Sequence, residues 1–251
     1  MSLPSCESPL LSIILPVKGA RPYFEKALAS CGDHPAVEIL VQDGDRDADA
    51  GQSDAINRGV QRAAGEWVTW LNADDLFLPG ALERVLAFLR ETPADWVAGN
   101  TMEIDAEDCV IRCLWDRGRR GTSCVSPVRV YGPSAFVRRR LWQELGGLDA
   151  RLSVCMDTDF WCTLRAHGRW FRKLPDYVWG FRVHDGSRTR SATRSVEELV
   201  RQRAEVEAVM ARHGVGDSFG RNLVVRLNRL FDGSYFKSAR DTRRFRGRAV
   251  V

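Results

Sequence analysis

The stretch GEWVTWLNADDLFLPG, residues 65–80, decides how the rest of the chain is read. An apolar run from Trp67 to Leu71 stops at Asn72 and at the adjacent carboxylates Asp74 and Asp75. A short apolar run bounded by turn residues reads as a buried strand. Gly65-Glu66 reads as the end of one helix. Leu76 to Pro79 reads as the start of the next, with proline in its first turn. Two like charges side by side repel, and one tends to stay protonated unless a cation compensates. The pair is therefore either a solvated turn or a cation site.

The same grammar runs on both sides. Leu11–Val17 (LSIILPV) and 37–41 (VEILV) read as strands, and 95–99 (DWVAG) as another. Residues 22–30, 53–64 and 79–89 carry helical spacing, with Ala55, Ile56, Val60 and Ala63 on one face of the second. Strand and helix alternating at this interval predict an α/β fold, a Rossmann-like, mostly parallel sheet flanked by helices. After Asn100 the rhythm changes. Residues 102–115 read as a hairpin with an acidic turn at 105–108, and 130–137 as a strand. Residues 139–145 and 158–166 read as helices, the first ending in Gly146-Gly147. Residues 170–183 hold one or two strands, 184–190 a loop and 196–212 a charged helix. The best boundary falls near Ala192, giving a domain over 1–192 and a basic, helical C-terminal appendage over 193–251.

The bulk numbers narrow the function classes. With 251 residues, 44% hydrophobic and 28% charged, the chain has the composition of an ordinary globular protein. A net charge of +4 is a mild excess and does not by itself imply nucleic acid. No run approaches the roughly 20 apolar residues of a membrane span. The N-terminal segment is expected to be a first strand and not a signal peptide, since no basic segment precedes it. Seven scattered cysteines favour reduced thiols and a cytoplasmic setting. Cys109, Cys113 and Cys124 invite a zinc reading, but no histidine lies near and no second close pair exists, so Cys109 and Cys113 read as strand residues.

In open α/β sheets ligands bind beyond the carboxyl ends of the strands. Three polar clusters occupy that edge: Lys18-Gly19, Asp43-Gly44-Asp45 and Asn72-Ala73-Asp74-Asp75. Turns favour these residues anyway, yet three clusters on one edge weaken that explanation. Mg²⁺ and Mn²⁺ take oxygen ligands and commonly share substrate phosphates. The edge thus reads as a nucleotide-diphosphate site with a divalent ion, and Asn72 as a partner for a ribose hydroxyl.

The same residues carry a family resemblance. SIILPV (12–17), DADAGQSDAINRG (47–59), GEWVTWLNADD (65–75), FVRRRLWQELGGLDARL (136–152), MDTDFW (156–161) and FRVHDGS (181–187) occur in an order and spacing that resemble family 2 glycosyltransferases of the GT-A fold. The resemblance spans roughly residues 11 to 190. It implies an inverting, metal-dependent transfer of a sugar from a nucleotide-diphosphate donor, UDP-sugar favoured, to a saccharide or lipid-linked acceptor. It implies that Pro16, Val17 and Lys18 line the base and that Asp43 bonds its edge. Asn57 and Arg58 would lie near the ribose and diphosphate, with Asn72 beside them. Asp74 and His184 would hold the metal, Mn²⁺ or Mg²⁺, and Asp157 would be the catalytic base. The chain departs from the family in three places. Asn72 stands where the first aspartate of an Asp-X-Asp motif is usual. The connection between Asp43 and Asp49 is short. Thr163 stands where an arginine is common.

Chemistry gives Asp157 a role: an inverting transfer needs one carboxylate to take the acceptor hydroxyl's proton. Its plainer reading is a helix N-cap, and Asp159 competes as base. His184 could equally be a surface-loop histidine. Two other functions fit less well. One is a binding module without turnover. The other is a sugar nucleotidyltransferase, which should have a longer glycine-rich loop after the first strand. Trp115, Trp161 and Trp179 read as core, or as platforms for a sugar ring. In the tail, Val224, Leu227, Leu230 and Phe231 form an apolar stripe among arginines. The stripe packs on the domain or on a twin chain, or it touches the inner face of an anionic membrane.

Overall fold

The computed structural model describes residues 8–19, 21–118, 130, 132–184, 195–214 and 229–251. The expected loop after His184, the boundary at Ala192, Cys124 and the tail residues Val224 and Leu227 lie outside these. Eight strands form one sheet: β1 Leu11–Val17, β2 Val37–Asp43, β3 Trp67–Trp70, β4 Leu76–Phe77, β5 Trp96–Ile104, β6 Val110–Leu114, β7 Ala135–Arg138 and β8 Arg172–Arg182. The order is β2-β1-β3-β7-β5-β8-β4, with β6 also paired to β5. Parallel pairing joins β1 to β2 and β3, and β5 to β8, while β7, β6 and β4 run the other way.

The sheet is covered on both faces. Helices are α1 Phe24–Ser30, α2 Gln52–Arg62, α3 Ala81–Glu91, α4 Arg139–Glu144, α5 Met156–Ala166, α6 Val196–Arg212 and α7 Ser234–Phe245. Side chains alternate across a strand, so β1 sends Leu11, Ile13 and Leu15 to one core and Ile14 to the other. The first core holds Ala27 of α1 and Val85, Leu86 and Leu89 of α3. The second holds Ile56 and Val60 of α2 and Phe160, Trp161 and Leu164 of α5. Gly59 of α2 lies so close to Ile14 that a Cβ would meet it at 2.6 Å, which lets this helix sit low on the sheet.

Three element expectations change. Leu76–Phe77 does not begin a helix but pairs antiparallel with Gly180 and Trp179 of β8. Both side chains are buried in this ladder, and the helix starts only after Gly80, whose φ of 67° breaks the chain direction. Residues 95–99 and the first arm of the hairpin are one continuous strand, β5. The strand expected from Val130 is confined to Ala135–Arg138, preceded by a single tight turn at Gly132–Ser134, where Pro133 has no N–H for a ladder.

Trp161 is fully buried, stacked at 5.2 Å on Trp96 and 6.0 Å from Trp70, and Trp179 is also buried. Neither is a sugar platform. In the tail, α7 packs on β6 and β8: Cys113 N donates to Thr242 Oγ1 at 2.9 Å and Tyr177 OH to Asp241 Oδ2 at 2.9 Å. The last residues continue beside the hairpin turn, with Val110 N donating to Arg248 O at 3.0 Å.

Candidate active site

The strand directions bring the polar clusters to one edge. β1, β2, β3 and β8 all end there, which places Lys18, Asp43, Asn72–Asp75 and His184 along it. β7 runs antiparallel to β3, with Val68 opposite Val137. Its entry turn therefore lies at the same edge, against the ring of Trp70. That turn holds Asp157: Gly132 N donates to Asp157 Oδ2 at 3.2 Å.

The adjacent carboxylates Asp74 and Asp75 lie in two different environments. Asp74 is partly exposed, with Oδ2 3.2 Å from His184 Nε2. Asp75 is buried, and it accepts from Asn72 Nδ2 at 2.7 Å and Arg182 N at 2.9 Å. Burial, reinforced by the charge of Asp74, pushes the Asp75 carboxyl well above the usual range. Asp74 is left as the member facing outward.

Arg182 is completely buried behind this pair. Its Nε donates to Asp74 O at 2.7 Å and its Nη1 to Asp105 O at 2.9 Å, while Nη2 lies 2.5 Å from Asp108 Oδ1. Lys26 of α1 reaches the other Asp108 oxygen at 2.5 Å. Burial would raise the Asp108 carboxyl, but the two cations outweigh it and the net shift is downward. The guanidinium also lies 4.3 Å from the ring of Tyr23, which in turn sits 5.1 Å from the ring of His184. Sequence reading missed Arg182, Tyr23 and Asp108. Arg182 lay inside the quoted FRVH segment, two residues from His184, and was the available signal.

At the nucleotide end of the edge, Arg21 bridges Asp43 and Asp45 at 2.8 Å each. This guanidinium holds both carboxyls below the usual range. Lys18 stands clear of the sheet, 3.8 Å from Asp49. Pro16 and Val17 lie inside β1 with buried side chains, so only their backbone can face a base. Arg58 braces its own loop, donating to Ala48 O at 2.8 Å and pairing with Asp54 at 2.8 Å. Gln52 at the start of α2 donates to Asn72 Oδ1 at 2.7 Å.

Asn57 departs from its expected place beside the ribose. Its Nδ2 donates to Leu148 O at 2.7 Å, and its Oδ1 accepts from Leu148 N at 3.0 Å and Trp142 Nε1 at 3.2 Å. Three of the four hydrogen-bonding positions of the amide are thus spent on tying α2 to the turn after α4. Gly147 in that turn has φ 70°, and a Cβ there would lie 2.4 Å from Asn57 Oδ1.

The two candidate bases are also separated. Asp159 is buried and accepts from Arg212 Nη1 at 3.0 Å and His213 Nε2 at 2.9 Å, both from the end of α6. Asp157 has no ionic partner among the described residues. Its Oδ1 accepts from Thr158 N at 2.6 Å. Burial pushes its carboxyl upward, against the N–H donors of Thr158 and Gly132. It is not the N-cap of α5, which is Cys155.

Known proteins resemble this chain in sequence and fold. The profile of glycosyl transferase family 2 matches residues 45–112, which include Asn72–Asp75. An uncharacterised glycosyltransferase of Rickettsia typhi is 24% identical over 234 residues, covering 76% of this chain and 69% of the relative. A PGL/p-HBAD biosynthesis glycosyltransferase of Mycobacterium bovis is 29% identical over 186 residues, 61% of this chain and 68% of the relative. Among solved structures, Staphylococcus aureus TarS 1–349 in complex with UDP-GlcNAc superimposes with a TM-score of 0.61 at 15% identity, covering 86% of this chain and 70% of that one. The fold is that of GT-A glycosyltransferases. The chain is a glycosyltransferase, and its residues 45–112 match the family 2 profile.

Proposed function

We propose that this enzyme moves a sugar from a nucleoside-diphosphate donor to an acceptor hydroxyl with inversion, Asp157 acting as base. The observation that carries the reading is the contrast within α5: Asp159 is held by Arg212 and His213, whereas Asp157 has no ionic partner among the described residues and is turned to the Gly132 turn at the sheet edge. A carboxylate with a raised pKa is the better base. Asp157 takes the acceptor proton as the acceptor oxygen bonds to the anomeric carbon. The bond from that carbon to the diphosphate breaks, and the nucleoside diphosphate departs as an anion.

Asp43, kept ionised by Arg21, accepts an N–H of the base, which favours a uracil edge and hence a UDP-sugar. The TarS neighbour was solved with UDP-GlcNAc, a donor of this class. Asp74 and His184 suit Mn²⁺ or Mg²⁺: one carboxylate oxygen and one imidazole nitrogen converge at 3.2 Å and leave other positions to diphosphate oxygens and water. When bound, the ion would neutralise charge on the departing diphosphate. The test is a donor panel scored for diphosphate release with Mn²⁺. Asp157→Asn should lower kcat by roughly 10²–10⁴-fold, and EDTA or Asp74→Ala should abolish transfer. Full activity of Asp157→Asn sinks the base assignment, and transfer surviving EDTA sinks the metal.

The acceptor is a saccharide or a lipid-linked saccharide, and α7 supports the second form. Its inner face is packed, but Phe236 is 67% exposed beside exposed Arg240 and Arg243, with Phe231 79% exposed just before it. Aromatic rings next to guanidiniums suit an anionic lipid surface. Sedimentation with phosphatidylglycerol vesicles should capture the protein and lose it on Phe231→Ser with Phe236→Ser. Equal capture of the double variant would reject this contact.

A further inference from the structure

We propose that Glu205 is a positioning residue for the base Asp157, acting from α6 on the loop that starts α5. The inference rests on the reading of Asp157 as base. The N-cap residue of α5, Cys155, makes no side-chain cap bond. The carboxylate of Glu205, fifty positions away from Cys155, binds the N–H of that residue and of the two before it. It accepts from Ser153 N at 2.9 Å, Val154 N at 2.8 Å and Cys155 N at 3.1 Å, and from Ser153 Oγ at 2.7 Å. Free N–H groups at a helix start need such acceptors, and a charged acceptor makes the stronger bonds.

The same helix grips the first turn of α5 again beyond the base, where Arg212 and His213 hold Asp159. Asp157 lies between the two grips. Within α6 only Val209 is buried, and Val196, Leu199 and Val200 are exposed. Among the described residues, Glu205, Arg212 and His213 direct polar contacts from this end of the chain at the turn that carries the base. A reacting group displaced by about 1 Å can lose on the order of 10²-fold in rate, so the register of this turn matters to catalysis.

The experiment measures UDP release from UDP-GlcNAc with Mn²⁺ and water as acceptor, alongside UDP affinity by calorimetry. Glu205→Ala should lower kcat about tenfold or more, with UDP affinity within about twofold of the wild type. Glu205→Gln keeps an accepting oxygen and should retain most of the rate. In an Asp157→Asn background Glu205→Ala should cost nothing further, because the group it positions is gone. An equal loss in both backgrounds, or an unchanged kcat in the single variant, overturns the proposal. Full activity of Asp157→Asn alone would instead overturn the base reading. If Glu205→Ala does not fold, the smaller loss in Glu205→Gln must vanish in the Asp157→Asn background, and its persistence is the overturning result.

Discussion

Asn72 donates its side-chain amide to Asp75 at 2.7 Å while Gln52 donates to its oxygen, also at 2.7 Å. The residue that departs from the family's aspartate therefore supplies a donor that aspartate lacks. Asn72→Asp would set a carboxylate against buried Asp75. A shared proton could hold the two together at low pH, as in paired acids. The folded-state pKa of Asp75 is already raised, so the stability tied to its proton is present at low pH and lost as pH rises through that pKa. Thermal midpoints of Asn72→Asp should thus match the wild type near pH 5 and fall below it near pH 8.5, with Mn²⁺ restoring part of the loss. A constant offset at both pH values would rule this account out.

Arg182 and Asp108 form a buried ion pair at 2.5 Å, with 0% and 8% of their side chains exposed. Removing one partner of such a pair leaves an uncompensated charge and costs about 3–5 kcal/mol. Asp108→Asn should show that loss in urea unfolding. It should also weaken UDP binding, because Arg182 holds the carbonyl of Asp74 in place. Lys26→Met, at the exposed end of the same cluster, should cost far less.

The upward shift of Asp157 has a kinetic consequence. The base works only when ionised, so kcat should fall as pH drops through its pKa, which lies above the ordinary aspartate value near ~3.9. The acid limb of kcat should be absent from the residual activity of Asp157→Asn. Glu205 acts in the other direction. Burial favours its proton, but the N–H groups of Val154 and Ser153 outweigh it and hold the carboxyl at about 2, against 4.5 unperturbed. Its stabilisation is complete above 4.5 and is lost as pH falls toward 2. Thermal midpoints should drop in that window, and less steeply in Glu205→Gln.

Asn57 offers a test of structure against donor contact. Asn57→Ala strands Leu148 N and Trp142 Nε1 and should cost about 1–3 kcal/mol of stability. KM for the donor should stay within about twofold, since the amide faces the turn after α4. Gly147→Ala should be worse, combining a left-handed φ with a clash onto the same amide. A large rise in donor KM with unchanged stability in Asn57→Ala would return this residue to the donor site.

Local patterns carried the first half of the fold. The continuous apolar runs of β1, β2 and β3 and the amphipathic spacing of α2 and α3 are properties of adjacent residues, so their placement was legible within a residue or two. The helix at Val196–Arg212 was legible as a charged helix, and in the structure Ser195 caps it by accepting from Glu198 N. Leu76–Phe77 was not, because two residues become a strand only when β8 arrives from a hundred positions away.

The sequence by itself determined the class of the site: acidic and amide residues at the ends of apolar runs, with Asp157 and His184 further on. Only the tertiary structure decided the roles within it. Asp74 and Asp75 are neighbours of identical chemistry, separated by the burial of one behind Arg182. Asp157 and Asp159 share a helical turn, separated by Arg212 and His213 at the end of α6, which bond the second. Asn57 sits within a recognisable motif, yet its amide is taken up by a turn some ninety residues away. Charge and hydrogen bonding depend on which groups meet in space, and in each pair the deciding partner comes from another part of the chain.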